Sequence, residues 1–364
     1  DHTVATNTAT AIAVPDPHPW SPADPFLYDL EITLGNDSVR SYIGMRSVAV
    51  VADAQGIPRL HLNGEPFLQA GLLDQGYWPD GLYTAPSDEA LVWDIQFARD
   101  LGFTMLRKHI KIEPARWYYH CDKLGMLVWQ DMVNGGGHYS PAVVTVPAVT
   151  ALRLNDRHYR WFGRADVEGR RQFLDELEHT IEHLRGFSCI VAWVPFNEGW
   201  GQFDALAVER RVRELDPTRL IDHASGWHDQ GGGDLRSLHI YFRPFRVKRR
   251  WLRGHRALAL TEFGGYSLPV EGHRSTTREF GYRRYRTAAQ LWAALKQLWE
   301  RELLPAVNGP LTAFVYTQLS DVEDEVNGLV TDDREVIKVP VDQLRQLNDT
   351  LSARSRMAAG GRHA

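Results

Sequence analysis

The sequence predicts an α/β protein, a (β/α)₈ TIM barrel preceded by a partial antiparallel β-sandwich segment. Three observations carry that expectation. Residues 189–196 are almost unbroken apolar sequence, too short for a helix, and the run stops abruptly at Asn197-Glu198. A parallel strand whose two faces are both covered by helices reads this way. A second copy, Ala257-Leu258-Ala259-Leu260-Thr261-Glu262-Phe263-Gly264-Gly265, lies downstream. From about Gln55 onward, strand-like and helix-like stretches alternate, as in a chain of βα units.

The elements follow in order. In residues 1–55 the stretches 26–34 and 41–51 alternate, with Gly35-Asn36-Asp37 as turn chemistry between them. These read as the closing strands of an immunoglobulin-like sandwich that is incomplete, because two or three strands are too few for an independent one. The barrel is expected over residues 56–352. Its first strand is 66–75, and Ser87 caps a helix to Leu101 that Gly102 ends. Strand two is 103–109, a helix runs 114–124, and strand three is 126–132. After a long loop containing Gly135 to Gly137 come a helix over 167–185 and the Asn197-Glu198 strand. A helix at 203–215, strands at 219–224 and 238–241, and the Glu262 strand follow. A helix within 276–302, strand eight at 311–319 and a last helix at 342–351 complete the barrel. Residues 353–364, small and basic, read as a disordered tail.

Composition narrows the function. At 364 residues with 43% apolar content the chain can bury a large core, and no apolar run nears the roughly 18 residues of a membrane span. A net charge of −5 gives no general attraction to nucleic acid or anionic lipid. Two cysteines, Cys121 and Cys189, provide neither a disulfide framework nor a thiolate metal cluster. Twelve tryptophans are mostly core, with some expected to line a sugar-stacking cleft. The chain begins at Asp1, which reads as a fragment or a processed product.

The strand ends hold the polar inventory: Asp74 and Gln75, Arg107 and His109, Asp131, Asn197 and Glu198, Asp222 and His223, His239 and Tyr241, and Glu262. Chemistry in barrels of this class sits at the C-terminal ends of the strands. Two strand-end glutamates, Glu198 and Glu262, suggest the carboxyl pair of a retaining glycosidase. A negative neighbour raises the pKa of the other member and keeps it protonated for the leaving group.

Phe196-Asn197-Glu198 and Thr261-Glu262-Phe263-Gly264-Gly265 resemble the acid/base and nucleophile motifs of glycoside hydrolase family 2, the β-galactosidase, β-glucuronidase and β-mannosidase family. Leu106-Arg107-Lys108-His109, Glu113-Pro114 and 119–125 resemble that family's second βα unit. Residues 318–338, with Asp321-Val322-Glu323, Asn327-Gly328-Leu329 and Asp333-Arg334, resemble its final strand and exit loop. Trp20-Ser21-Pro22 and 25–28 resemble the end of its central sandwich. The resemblance implies Glu198 as acid/base, Glu262 as nucleophile and Asn197 as donor to the sugar 2-hydroxyl. It implies that Arg107 and Tyr241 hold the Glu262 carboxylate ionised and oriented. The motif usual after the second-strand Arg is replaced by Lys108-His109-Ile110-Lys111, and Leu73-Asp74-Gln75 replaces Asn-His-Glu. Both changes fall where the sugar is gripped.

Three further patterns have simpler readings. His179-Thr180-Ile181-Glu182-His183 fits an inverted zinc-peptidase motif. The stripe Phe173, Leu174, Leu177, Ile181 and Leu184 turns both histidines to solvent, so no metal is expected. The basic run 246–256 reads as the solvated face of a sixth helical segment. Residues 321–328 fail the glycine and glutamate spacing of a calcium loop.

The expectation is therefore a retaining β-glycosidase acting on a neutral sugar, galactose-like first, without cofactor or metal. The resemblance implies an Asn-x-Lys pair on the substrate carboxylate in members that take glucuronides, and no Asn-x-Lys occurs in the chain. Asp74 and Asp131 are expected as hydroxyl acceptors beside the pocket, Trp78 or Trp200 as stacking faces, and His239 and His109 as further pocket residues. Lys108, His109 or Lys111 could supply a cationic clamp instead. The alternatives are a β-glucuronide, β-mannoside, arabinoside or galactofuranoside substrate, or a carbohydrate-binding relative or fragment without activity. The partner is a carbohydrate, not nucleic acid or membrane, and a homo-oligomer is left open.

Overall fold

The apolar runs become eight parallel strands because their side chains are buried on both faces, and the computed structural model describes this for residues 2–150 and 152–360. Ahead of the barrel, β1 (Tyr28–Leu34) and β2 (Asp37–Ile43) form a hairpin about the turn Gly35-Asn36. A three-stranded sheet follows, of β3 (Val48–Ala52), β4 (Pro58–Leu62) and β5 (Glu65–Pro66). The barrel strands are β6 (Gln69–Asp74), β7 (Met105–Lys108), β8 (Leu127–Asp131), β9 (Ile190–Val194), β10 (Leu220–Ile221), β11 (Leu235–Ile240) and β12 (Ala257–Gly264). The short parallel pair β13 (Tyr266–Ser267) and β14 (Arg283–Arg284) precedes the last barrel strand, β15 (Leu311–Thr317). The order β10-β9-β8-β7-β6-β15-β12-β11 is parallel throughout. Its two ends meet through Asp234, whose N–H donates to the Ile221 carbonyl at 2.9 Å and whose carboxylate accepts from the Ile221 N–H at 2.8 Å.

The helices are α1 (Asp88–Asp100), α2 (Ala115–Leu124), α3 (Pro141–Val144), α4 (Val146–Val149), α5 (Val167–Leu184), α6 (Ala205–Leu215), α7 (Ala288–Leu298), α8 (Leu304–Val307) and α9 (Val341–Ala359). Caps set several starts. Ser87 accepts from the Ala90 N–H, Asp166 from those of Glu168 and Gly169, and Thr287 from that of Gln290. No helix among the described residues is long and apolar enough to cross a membrane.

The structure corrects several expectations. The strand expected at 41–51 is two strands, interrupted where Gly44 and Arg46 dock on the start of β9. The Gly44 carbonyl accepts from Ser188 Oγ at 2.8 Å, and Arg46 donates to the Ser188 and Ile190 carbonyls. The helix expected within 276–302 begins only at the Thr287 cap, so residues 268–286 form an insertion. The basic run 246–256 is no helix; it holds one 3₁₀ turn at Arg249–Leu252. The last helix does not stop at 351. Leu351, Ser355 and Ala359 recur at helical spacing and are buried, so α9 continues through most of the tail expected to be disordered. The rest of that expectation, residues 361–364, lies outside the described residues.

In α5 the buried stripe is Phe173, Leu177, Ile181 and Leu184, while His179 and His183 are exposed. Leu177→Ala is expected to cost about 2–5 kcal/mol, and His183→Ala to stay within about 0.5 kcal/mol; urea denaturation of the two variants measures the contrast.

Candidate functional site

At the C-terminal ends of the strands lies a cavity of 450 Å³. Asn197 and Glu198 reach it immediately beyond β9, Glu262 from the end of β12 and Tyr241 from the residue after β11. Glu198 adopts a positive φ of 52°, an uncommon conformation for a residue with a side chain, and its N–H is fixed by the Ser225 carbonyl at 3.0 Å.

Arg107, fully buried, organises the floor. It donates to both carboxylate oxygens of Asp131 at 3.0 and 3.1 Å, to Asn197 Oδ1 at 2.9 Å, to the Thr261 carbonyl at 3.1 Å and to Glu262 Oε1 at 3.2 Å. Tyr241 donates to the other Glu262 oxygen at 2.6 Å and stacks on Tyr282 at 3.7 Å between ring centres. Burial alone would lower Arg107, but Asp131 and Glu262 outweigh it and raise its pKa above the ordinary value. Burial would raise Asp131; the Arg107 charge and the bond from His109 at 2.8 Å outweigh it and hold the carboxyl below its usual range. His109 is raised in turn, the Asp131 bond overcoming desolvation.

Glu198 behaves differently. Burial pushes its carboxyl up to about 7, only partly opposed by His109 and Arg107. Its Oε1 lies 2.8 Å from Nδ1 of His239, whose ring burial pushes down to about 3 and so keeps neutral. A neutral imidazole can donate from Nδ1 to an ionised Glu198 or accept there from a protonated one, with Nε2 adjusting against Ser225 Oγ at 3.1 Å. The ring is held by Gly226, whose φ of +86° and missing Cβ permit the approach; a Cβ would sit 2.5 Å from the imidazole. Ligand atoms of Glu198, His239 and Glu262 all lie within 4.8 Å of one another, the one such group among the described residues close enough to bracket an ion.

The cavity wall contains Asn197, Glu198, Trp200, Tyr241, Glu262 and His109. The other expected residues lie elsewhere. Asp131 is beneath the wall, its two oxygens already taken by Arg107 and His109. Asp74 is not a hydroxyl acceptor, because it pairs with Lys108 Nζ at 2.7 Å in a buried group that includes Glu113 and Lys111. That group also removes both lysines from the wall as a cationic clamp. Trp78 is no stacking face here. Its indole is buried under the Arg334 guanidinium, 3.9 Å from the ring centre, and borders a different cleft. His239 lies behind the wall, bonded to Glu198 at 2.8 Å and 3.5 Å from Glu262 Oε2.

The sequence reading missed Glu325, Phe280, Tyr282 and Tyr139, all on the wall. Glu325 accepts from Gln318 at 2.8 Å and Gln75 at 3.1 Å, and burial raises its pKa. Its signal lay within 318–338, between Asp321-Val322-Glu323 and Asn327-Gly328-Leu329. Phe280 and Tyr282 come from the insertion mistaken for helix, and Tyr139, edge-on to Trp200 at 4.8 Å, from the long loop.

Comparison with known proteins gives a consistent result. The family profile described as "Glycosyl hydrolases family 2, TIM barrel domain" matches residues 59–249, and one described as "Glycosyl hydrolases family 2" matches 1–46. A β-galactosidase of Psychromonas ingrahamii is 26% identical over 231 residues, 62% of this chain and 20% of that protein. One of Lactococcus lactis is 29% identical over 126 residues, 33% of this chain and 12% of that protein. The chain thus spans a fifth or less of the length of these relatives. Among solved structures, a β-galacturonidase of Eisenbergiella tayi bound to galacturonate superposes with a TM-score of 0.69 at 16% identity, covering 95% of this chain and 61% of that one. A β-D-glucuronidase of Dictyoglomus thermophilum gives 0.67 at 17%, covering 92% and 59%. These likenesses establish a shared fold.

The Glu198 environment also sets a pH dependence. Below about pH 4.5 the group is protonated in both folded and unfolded chains. Between about 4.5 and 7 the unfolded chain releases a proton that the folded one keeps, so stability falls as pH rises. Glu198→Gln removes that slope. By calorimetry its melting temperature should exceed the wild type's above about pH 7 and match it below about pH 4.5.

Proposed function

We propose, for a chain that belongs to glycoside hydrolase family 2, hydrolysis of a neutral β-glycoside by double displacement, with a galactose-like sugar preferred. The observation that carries this reading is the pair Glu198 and Glu262, whose carboxylate oxygens approach within 4.8 Å in one cavity. Retaining glycosidases hold their carboxyls about 5–5.5 Å apart, whereas inverting ones need roughly 6.5–9.5 Å to admit a water.

The two environments divide the roles. Glu262, between Arg107 and Tyr241, is the carboxylate that attacks the anomeric carbon. Glu198, protonated up to about pH 7, delivers its proton to the departing oxygen. Once Glu262 has become an ester its charge is gone, which favours ionisation of Glu198 as the base that takes a proton from water. His239 accommodates both protonation states by exchanging tautomers. Arg107 fixes Asn197 through its Oδ1, which leaves the amide NH₂ as the group able to donate to the sugar 2-hydroxyl.

The neutral sugar is supported by the wall itself. Three carboxylates line it, Glu198, Glu262 and Glu325, and Arg107 is sequestered beneath it. A uronate would find no lysine or arginine on that wall among the described residues, whereas hydroxyls find partners in these carboxyl groups and an apolar sugar face finds Trp200. The β-galactosidase names of the sequence relatives agree. His109 at the wall, whose pKa the Asp131 bond raises against desolvation, favours the second reading, a uronide.

A ratio of kcat/KM on aryl β-galactoside to that on aryl β-glucuronide well above one is expected; a ratio below one replaces the neutral sugar by the uronide. Glu262→Gln should remove nearly all turnover, from a barrier reduction of roughly 8–23 kcal/mol. Glu198→Ala should keep activity on substrates with good leaving groups, and azide should restore its rate with a glycosyl azide of retained configuration. An inverted azide would exchange the two roles.

A further inference from the structure

Between β10 and β11 the chain runs through a glycine-containing loop, 222–234, with no helix. The outer face of β11 is therefore not covered by the apolar helix that a βα unit would supply. A cavity of 320 Å³ lies there instead. Alternation along β11 turns Ser237 and His239 inward and Arg236 and Leu238 toward this cavity. Trp227, Trp251, Arg250, Arg243 and Arg153 complete its lining, Arg250 and Trp251 coming from the basic run 246–256.

The charges do not balance. Asp229 is the acid that lines the cavity among the described residues. It is already engaged by Arg256 at 2.7 and 2.9 Å and by Arg153 at 3.1 Å, with Arg236 at 3.7 Å. One carboxylate thus faces three guanidinium groups before Arg243 and Arg250 are added. Nε of Arg236 is buried with no hydrogen-bond partner among the described residues. Of these groups Arg256 is buried, Arg236 is partly buried with its Nε unsatisfied, and Arg153, Arg243 and Arg250 reach solvent at the rim. An anion there would complete the unsatisfied donor and offset the excess charge, and forked guanidinium groups suit carboxylate and sulfate oxygens. The indoles of Trp227 and Trp251 offer flat apolar faces beside that charge. The cavity adjoins the catalytic pocket, since His239, on its lining strand, holds Glu198.

We infer that this cavity is an anion subsite that takes the carboxylate or sulfate group of an acidic sugar unit. That a sugar carries the anion rests on the glycosidase reading; the anion site itself does not. The acidic unit comes either from the leaving-group side of the glycan being cleaved or from a free acidic sugar.

Calorimetric titration at low salt, with sodium D-glucuronate as probe and D-glucose as neutral control, tests the site without need of turnover. Glucuronate should bind and glucose should not. Affinity should fall about tenfold or more in Arg236→Met and in Arg250→Glu. Arg250 is exposed, so its variant should retain the wild-type melting temperature. No glucuronate binding, or binding unchanged in both variants, overturns the proposal. The kcat/KM ratio of 4-carboxyphenyl to phenyl β-galactoside then separates the sources. A ratio lowered in Arg250→Glu assigns the anion to the leaving group, and a ratio unchanged while glucuronate binding is lost assigns it to a free acidic sugar. Absence of turnover on every aryl glycoside would count against the glycosidase alone, because the titration stays readable.

Discussion

One buried cation holds the site together. Arg107 sits on β7, yet its donors reach Asp131 on β8, Asn197 beyond β9, and Thr261 and Glu262 on β12. A guanidinium with no exposure to water is tolerated only where carboxylates and carbonyls satisfy it nearly completely. The reverse also holds for Asp131, whose carboxyl that one charge holds below its usual range although it is fully buried. The barrel supplies the constraint behind this geometry. Parallel strands of fixed register bring residues distant in sequence to the same level, and the bidentate contact with Asp131 fixes the direction in which the remaining donors point.

Around this centre the two glutamates are held in unequal surroundings, and the proposed division of roles rests on that inequality. Glu262 accepts from a permanent cation and a phenol, while Glu198 is bonded to an imidazole that burial keeps neutral. The same low-polarity surroundings that raise Glu198 toward neutrality hold His239 uncharged, so the imidazole can donate to ionised Glu198 or accept from the protonated acid, and neither form loses its hydrogen-bond partner. Ser225, Ser237 and Thr261 form the hydroxyl chain behind the ring and can reorient with it.

The barrel and its principal carboxylates were legible because they depend on short patterns. The apolar run of 190–194 followed by Asn197-Glu198 specifies both a strand and where it ends. What was not legible depends on who pairs with whom. Asp74 and Asp131 look alike at strand ends, and only the cross-strand partners show that Lys108 consumes one and Arg107 with His109 the other. The wall residues Phe280 and Tyr282 lie in an insertion whose composition mimics a helix and whose position follows from the β13–β14 pairing. The basic run 246–256 carries a charge pattern that a solvated helix would share, and its turn toward a cavity follows from the helix missing between β10 and β11.

The central claim is that Glu262 becomes covalently bonded to the sugar while Glu198 manages protons. A 2-deoxy-2-fluoro-β-galactosyl fluoride tests it most directly, because the 2-fluorine slows formation and breakdown of the glycosyl ester alike, while the anomeric fluoride, a good leaving group, keeps formation fast enough for the ester to accumulate. After incubation, peptide mapping by mass spectrometry should find a single fluorogalactosyl group, attached to the peptide containing Glu262 and located on its carboxyl. Labelling of Glu198, or turnover of aryl galactosides by an enzyme that never accumulates a label, would contradict the account.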